Sequence, residues 1–390
     1  MKSKPPRLLF VFGTRPEAIK LAPLVRAFRE RDGFDVKVCV TAQHRQMLDQ
    51  VLQFFEIVPE YDLDIMRPDQ TLFDVTANGL KALENVMEDC KPDLVFVQGD
   101  TTTSFIGALA AYYRKIKVAH IEAGLRSGNK YSPFPEEMNR MLTGRLCDFH
   151  FTPTLQSADN LRKENIHENI FNVGNTVIDA LFLGLDLIRK RGEKSYRETF
   201  DFMKADRKLV LITGHRRESF GEPFARICAA IREVALKWPG VDFVYPVHLN
   251  PNVQKIVFEM LSTQPNVHLL EPLDYPHFIW LMNKSSIVLT DSGGLQEEAP
   301  SLGKPVLVMR DVTERTEGID AGTAKLVGTD HPLIVRELNS LLSDEKAYEA
   351  MAKAVNPYGD GTACRQIVDV ISNILGVKTN YETQPTPHGK

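Results

Sequence analysis

The chain has little of what stabilises small or extracellular folds. Its 390 residues include five cysteines. Cys39, Cys90, Cys147, Cys228 and Cys364 form no CxxC pair and no cysteine–histidine spacing suited to zinc. An odd, scattered set of this kind predicts reduced, buried thiols in a cytoplasmic protein. Long apolar runs are missing as well. Residues 8–12 (LLFVF) follow basic residues but stop at Gly13, too short for a secretory h-region, and no stretch approaches a membrane span. Neither sign of charge prevails: 47 Lys and Arg against 51 Asp and Glu leave −4. Such a balance offers no general attraction to nucleic acid or to an anionic membrane. No fixed-period repeat is visible. A GxGxxG fingerprint is absent after the first strand, which argues against a dinucleotide-dependent dehydrogenase.

What is present reads as an ordinary globular chain. Apolar residues make up 43% and charged residues 25%, which excludes disordered and fibrous classes. At about 150 residues per domain, the length allows two to three domains. Short β-branched runs alternate with helical stretches, the pattern of an α/β protein with parallel sheets. Strands are predicted at 8–12, 36–41, 94–98, 117–121, 149–152 and 170–173, with helices such as 45–55 and 70–90 between them. A second series follows at 208–213, 241–247, 267–270, 286–290 and 305–309. These runs are almost continuously apolar, as expected of strands covered on both faces. The charged segment 184–207 is assigned as the linker between domains 1–183 and 208–361, and the polar tail 377–390 as disordered. In doubly wound sheets ligands sit at the carboxyl ends of the strands, so a cleft shared by the two domains is the expected site.

Those strand ends carry the unusual residues. The first gives Gly13-Thr14-Arg15-Pro16-Glu17-Ala18-Ile19-Lys20, where Thr14 and Glu17 form a capping box and Pro16 suits the first helical turn. Pro23 is expected to kink or shorten that helix. Arg15 and Lys20 beside a helix N-terminus suit an anion, although the same pattern fits a plainly capped helix with two solvated cations. The next strand ends run Gly99-Asp100-Thr101-Thr102-Thr103, where Asp100 reads most simply as an N-cap, and Glu122-Ala123-Gly124-Leu125-Arg126-Ser127. Two prolines, Pro133 and Pro135, are expected to give an extended approach to a helix that begins with Glu136 and Glu137. Dipole complementarity would explain the last pair, yet three carboxylates (Asp100, Glu122, Glu136) on neighbouring strand ends exceed what structure needs.

The second series supplies cations and a glycine turn. Its strand ends contain Gly214-His215-Arg216-Arg217-Glu218, then His248, then Ser292-Gly293-Gly294-Leu295-Gln296-Glu297-Glu298. Small residues opening a helix let backbone N–H groups approach a phosphate closely. Glu298 is suited to a ribose diol, and Arg315 adds a further cation. His150, His167, His268, His331 and His388 read as ordinary core or surface residues.

Taken in order, FGTRPEAIK (12–20), GDTTT (99–103), EAGLRS (122–127), GHRRE (214–218), SGGLQEE (292–298) and NPYGDG (356–361) resemble the non-hydrolysing bacterial UDP-N-acetylglucosamine 2-epimerases. The resemblance runs from about residue 7 to 375. It implies the GT-B architecture, with two Rossmann-like doubly wound domains facing a central cleft and a C-terminal helix, 362–375, returning to the first. It implies reversible interconversion of UDP-N-acetylglucosamine and UDP-N-acetylmannosamine through loss and re-addition of UDP, with no nicotinamide and no metal, supplying surface polysaccharides. Asp100, Glu122 and Glu136 would be the catalytic carboxylates, joined by His215. Arg15, Lys20, His215 and Arg315 would bind the nucleotide together with Ser292, Gly293, Gly294 and Glu298, while Leu273 and Phe278 would hold the uracil. Gln43, His44, Gln46, Glu136, Arg216 and His248 match a secondary site at which a second substrate molecule acts as activator. A homodimer is expected by the same likeness. A GT-B glycosyltransferase and a hydrolysing 2-epimerase remain the alternatives.

Overall fold

The computed structural model describes residues 4–41, 45–67, 69–204 and 206–377. The chain divides into two compact units, Met1–Thr176 with Thr362–Lys390, and Val177–Gly361. The division therefore falls in the first turn of the helix Thr176–Arg191 and not within 184–207. Much of that expected linker is helical, in Thr176–Arg191 and Lys194–Thr199, and belongs to the second unit. Its Phe200 is buried and stacks on Trp280 with ring centroids 5.4 Å apart. The tail beyond Val377 lies outside the described residues.

In the first unit the strands are β1 (Arg7–Phe12), β2 (Asp35–Val40), β3 (Tyr61–Asp62), β4 (Leu94–Gln98), β5 (Lys117–Ile121), β6 (Phe149–Thr152) and β7 (Ile170–Asn172). They form one parallel sheet in the order β3-β2-β1-β4-β5-β6-β7. Residues Leu8 to Phe12 are fully buried because helices cover both faces of β1. On one face Phe10 stacks on Phe96 of β4 with centroids 4.4 Å apart, and Phe28 from the helix Arg15–Arg29 packs on both rings. Burying an aromatic side chain of this size stabilises by about 2–3 kcal/mol. The helix Arg15–Arg29 runs unbroken through Pro23, contrary to the expected shortening. Its neighbours Leu21, Ala22, Leu24 and Val25 are all buried, and that packing outweighs the one missing N–H donor. The C-terminal helix Ala363–Ile374 closes this unit by laying Ile367, Val368 and Ile371 inward, with Asp369 paired to the buried Arg31 at 2.7 Å.

The second unit contains β8 (Lys208–Thr213), β9 (Val241–Pro246), β10 (Val267–Leu270), β11 (Ile287–Thr290), β12 (Val306–Val308) and β13 (Ala324–Leu326). These are parallel in the order β10-β9-β8-β11-β12-β13. Val210, Ile212, Phe243 and Tyr245 pack there against Phe224, Ile227 and Ile231 of the helix Glu222–Lys237. Both sheets are thus doubly wound, as the GT-B resemblance implied. The strand order reverses between β1 and β4 in the first unit and between β8 and β11 in the second. Ligands bind at such switch points. Among the described residues no helix is long and apolar enough to cross a membrane.

Candidate functional site

Within the first unit, β1 ends at Gly13 against a bridge between the Thr41 and Thr103 hydroxyls, 2.9 Å long. A Cβ at Gly13 would lie 2.0 Å from Thr41 Oγ1, so only glycine lets the chain turn beneath that bridge. Thr14 then caps the helix Arg15–Arg29 in the expected capping box. The box does more than end a helix. The Glu17 carboxylate is buried and accepts from Gly13 N (3.1 Å), Thr14 N (2.8 Å), Thr101 Oγ1 (2.7 Å) and Ser104 Oγ (3.1 Å). It ties the β1 loop to the β4 loop across the switch point. Burial pushes its carboxyl above the ordinary range, opposed by these hydrogen bonds.

Asp100 is not the N-cap expected of it. Thr101 takes that role, accepting from Ser104 N at 3.1 Å. Asp100 is left pointing to Arg140 of the helix Glu136–Leu146, with which it forms an ion pair. Its backbone is clamped on both sides: Asn139 Nδ2 donates to the Asp100 carbonyl at 3.0 Å, and His120 is bonded to the Gly99 carbonyl at 2.7 Å. A carbonyl only accepts, so His120 carries its proton on Nε2. Burial pushes the His120 imidazole down to about 3, which keeps it neutral.

Glu122 follows β5 in the left-handed region, with φ at 62°. A non-glycine residue there costs about 1–2 kcal/mol. Its buried carboxylate holds that conformation by accepting from Lys20 Nζ at 2.6 Å through each oxygen, from Asn175 Nδ2 at 2.9 Å and from Gln98 Nε2. Lys20 is therefore engaged by a carboxylate, whereas Arg15 is half-buried and without an ion-pair partner among the described residues.

The approach to the third carboxylate turns; it is not extended. Ser132 N donates to the Asn129 carbonyl at 2.9 Å, and Ser127 Oγ to the Ser132 carbonyl at 2.5 Å. The two acids that open the helix Glu136–Leu146 then part company. Glu137 turns inward, accepting from Ser127 N, Gly128 N and Arg140 Nη1 at 3.0–3.1 Å. Glu136 keeps one buried oxygen, Oε2, with no hydrogen-bond partner.

The second unit offers a different set. Ser292 is the N-cap of the helix Gly293–Ser301 but makes no side-chain cap bond, while its own N–H donates to Thr290 Oγ1 at 2.9 Å and its carbonyl accepts from Gln296 Nε2 at 3.2 Å. A Cβ at Gly294 would lie 3.7 Å from Glu298 Oε2, which places that carboxylate over the turn. Glu297, one residue earlier, is buried and grips Arg315 Nε at 2.8 Å, while Glu314 takes Arg315 Nη1 at 3.1 Å. At the end of β8, His215 is exposed and stacks on His248 with centroids 5.1 Å apart and planes 10° apart. Burial, then the neighbouring His215, pushes the His248 imidazole down. Asp291, after β11, receives His215 N and Arg216 N at 2.6 and 2.7 Å. Phe278 and Leu273 are half-buried around the start of the helix Tyr275–Lys284, which Asp274 caps. Of the expected secondary-site residues, Gln43 and His44 lie outside the described residues, and Gln46 is exposed on the helix Arg45–Phe54.

Arg140, Asn139, Gln98, Asn175 and Asp291 were missed in the sequence. Each acts on a partner far along the chain, and no local spacing announces it. Cys39, Cys90, Cys228 and Cys364 are buried and Cys147 is half-buried, all with free thiols.

Comparison with known proteins identifies the family. The UDP-N-acetylglucosamine 2-epimerase family model matches residues 26–372. The Yersinia pestis UDP-N-acetylglucosamine 2-epimerase is 55% identical over 370 residues, covering 94% of this chain and 98% of that protein. The crystal structure of the Neisseria meningitidis UDP-GlcNAc 2-epimerase bound to UDP-GlcNAc superposes with a TM-score of 0.86 at 51% identity, covering 94% of this chain and all of that one. A Methanocaldococcus jannaschii UDP-GlcNAc 2-epimerase in complex with UDP-GlcNAc and UDP gives 0.77 at 33% identity, covering 94% and 99%. With two doubly wound units, carboxylates at one switch point and a glycine turn at the other, the chain belongs to the UDP-N-acetylglucosamine 2-epimerase family.

Proposed function

We propose that this 2-epimerase interconverts UDP-N-acetylglucosamine and UDP-N-acetylmannosamine by breaking and remaking the anomeric C–O bond. The inverted carbon bears an acetamido group and has no carbonyl beside it, so its proton is too weakly acidic for direct removal by a carboxylate. Departure of UDP gives the ring oxocarbenium character and makes the adjacent C–H acidic. A carboxylate takes that proton, leaving 2-acetamidoglucal and UDP. Protonation of C2 from the opposite face and return of the UDP oxygen to C1 complete the inversion. Protons and electrons balance without a redox partner.

Asp100 is the proton-abstracting base in this scheme, with Glu122 and Glu136 acting on the opposite face. Arg15, His215, Arg315 and the N–H groups of Gly293 and Gly294 stabilise charge on the departing diphosphate. Lys20, Ser292 and Glu298 complete the nucleotide contacts, and Leu273 and Phe278 hold the uracil. The observation that carries the reading is two carboxylates at neighbouring strand ends and a third opening the helix that follows, with three unlike sets of partners: Arg140 for Asp100, three donors for Glu122, and an unpartnered oxygen on Glu136. A nucleotide-binding module would have no use for such a set. Binding of UDP-GlcNAc by the N. meningitidis relative supports the choice of substrate. A second substrate molecule at Gln43, His44, Gln46, Arg216 and His248, a homodimer in the cytoplasm, and a supply of surface-polysaccharide precursors belong to the same reading.

Incubation with UDP-N-acetylglucosamine in heavy water tests it. Deuterium should enter C2 of both epimers while each stays attached to UDP. Turnover with no deuterium at C2 would overturn the scheme, and free N-acetylmannosamine as the product would mark the hydrolysing alternative.

A further inference from the structure

We propose that Asp291 is a positioning residue for His215, receiving the Nδ1–H of its imidazolium so that Nε2–H is presented to the departing nucleotide. This rests on the role given to His215 above. Asp291 follows β11 at the second switch point and is 2% exposed. One oxygen, Oδ2, accepts the backbone N–H groups of His215 and Arg216 at 2.6 and 2.7 Å, so the β8 loop is pinned to it. The other, Oδ1, is buried and has no hydrogen-bond partner. It lies 3.4 Å from His215 Nδ1.

A buried acceptor left unmade is costly, and a carboxylate oxygen cannot donate. Shortening that 3.4 Å separation satisfies Oδ1 only if the proton sits on Nδ1. Catalytic hydrogen bonds are often long before substrate is present and tighten in its complex. The ring has little freedom to turn away. His248 covers one of its faces, and His248 is itself fixed by accepting from Asn250 N at 3.1 Å. Edge and face of the His215 ring are thus both held, and with both nitrogens protonated Nε2–H is the donor left to meet a phosphate oxygen. A carboxylate that orients a histidine and offsets charge gathering on it is the logic of the serine-protease triad, reached here on a different fold.

Asp291→Asn is the sharp variant. Its amide oxygen can still receive the two backbone N–H groups, while its NH2 faces Nδ1, cannot accept from it, and disfavours the doubly protonated ring. We expect kcat to fall about 10- to 100-fold, as when the partner that orients a functional histidine is lost, with circular dichroism unchanged. In a His215→Asn background the same substitution should cost nothing further, because Asp291 acts through His215. An unchanged kcat in Asp291→Asn, or an equal loss in both backgrounds, would overturn the proposal. Loss of no activity in His215→Asn alone would instead remove the role of His215 and, with it, this inference. Nitrogen NMR of the histidine-labelled full chain gives a readout that needs no substitution at Asp291, the His215 signal being identified by its absence in His215→Asn. With UDP bound, a His215 ring lacking a proton on Nδ1 would refute the proposal.

Discussion

The two units share one scaffold and differ in what they place on it. Each is a parallel, doubly wound sheet with a switch point between its first and fourth strands in sequence, β1/β4 and β8/β11. At the first, side-chain carboxylates crowd together, and cations and amides hold them: Arg140 on Asp100, Lys20 and Asn175 on Glu122. At the second, the turn is glycine, the helix start is uncapped by any side chain, and an exposed imidazole stands over it. One set suits moving protons, the other receiving a diphosphate. The scaffold fixes where chemistry can occur, and the strand-end residues decide which chemistry it is.

Substitutions that separate proton transfer from nucleotide binding test this division. The largest effect is expected for Asp100→Asn in the first unit. Turnover should fall about 10²- to 10⁴-fold, and UDP affinity, measured by calorimetry, should hold. Unchanged incorporation of solvent deuterium at C2 would take Asp100 out of the base role. Next comes Glu122→Gln. It removes one of the two acceptor oxygens that Lys20, Gln98 and Asn175 share, and with it the negative charge facing a largely buried ammonium, at a cost of about 3 kcal/mol in urea unfolding. A loss below about 0.5 kcal/mol would show that the carboxylate does not hold its loop.

A smaller effect follows from two histidines buried side by side in the first sheet, where His120 of β5 pairs in register with His150 of β6. Burial pushes them down to about 3 and about 4 respectively. Unfolded, each takes a proton near pH 6.5 that it refuses when folded. Stability is therefore complete above about pH 6.5 and declines as pH falls toward the folded values, by up to about 1.4 kcal/mol per pH unit for each ring. Between pH 7 and pH 5 that amounts to roughly 2 kcal/mol per histidine. His120→Gln keeps an N–H for the Gly99 carbonyl and should shrink the loss by about that amount. An identical pH dependence in the variant would contradict the buried, neutral assignment.

The smallest effect is expected in the second unit. Gly293→Val puts a branched side chain at a position where a Cβ already meets Glu314 at 3.3 Å, and it obstructs the approach to the N–H groups. UDP should bind about tenfold more weakly, roughly 1.4 kcal/mol, with the unfolding midpoint nearly unchanged. Equal UDP affinity would mean that the glycine turn does not receive the diphosphate.

Much of this was legible locally. Every strand expected from an apolar run is present, because a strand buried on both faces can be built from little else. The two strands missed, Tyr61–Asp62 and Ala324–Leu326, are short edge strands with no such run. The capping box at Thr14 was readable from three residues of spacing. The cap at Thr101 was not, since Asp100 is as good a cap by type and only the Arg140 partner draws it away. The helical character of 184–199 was hidden by its many charges, which read as a linker until Phe200 is seen buried against Trp280.

By itself the amino-acid sequence determined the local things: apolar runs that must be strands, caps that must start helices, and glycines where no side chain fits. Those depend on neighbours within a few residues, whose distances the covalent chain sets. Only the tertiary structure decided the partners of the charged groups. Arg140 lies 40 residues from Asp100, Glu122 is 102 from Lys20, and Asp291 is 76 from the His215 amide it binds. Such pairings follow from which strands lie side by side, and that order is set by the packing of the whole sheet and not by any stretch of the chain.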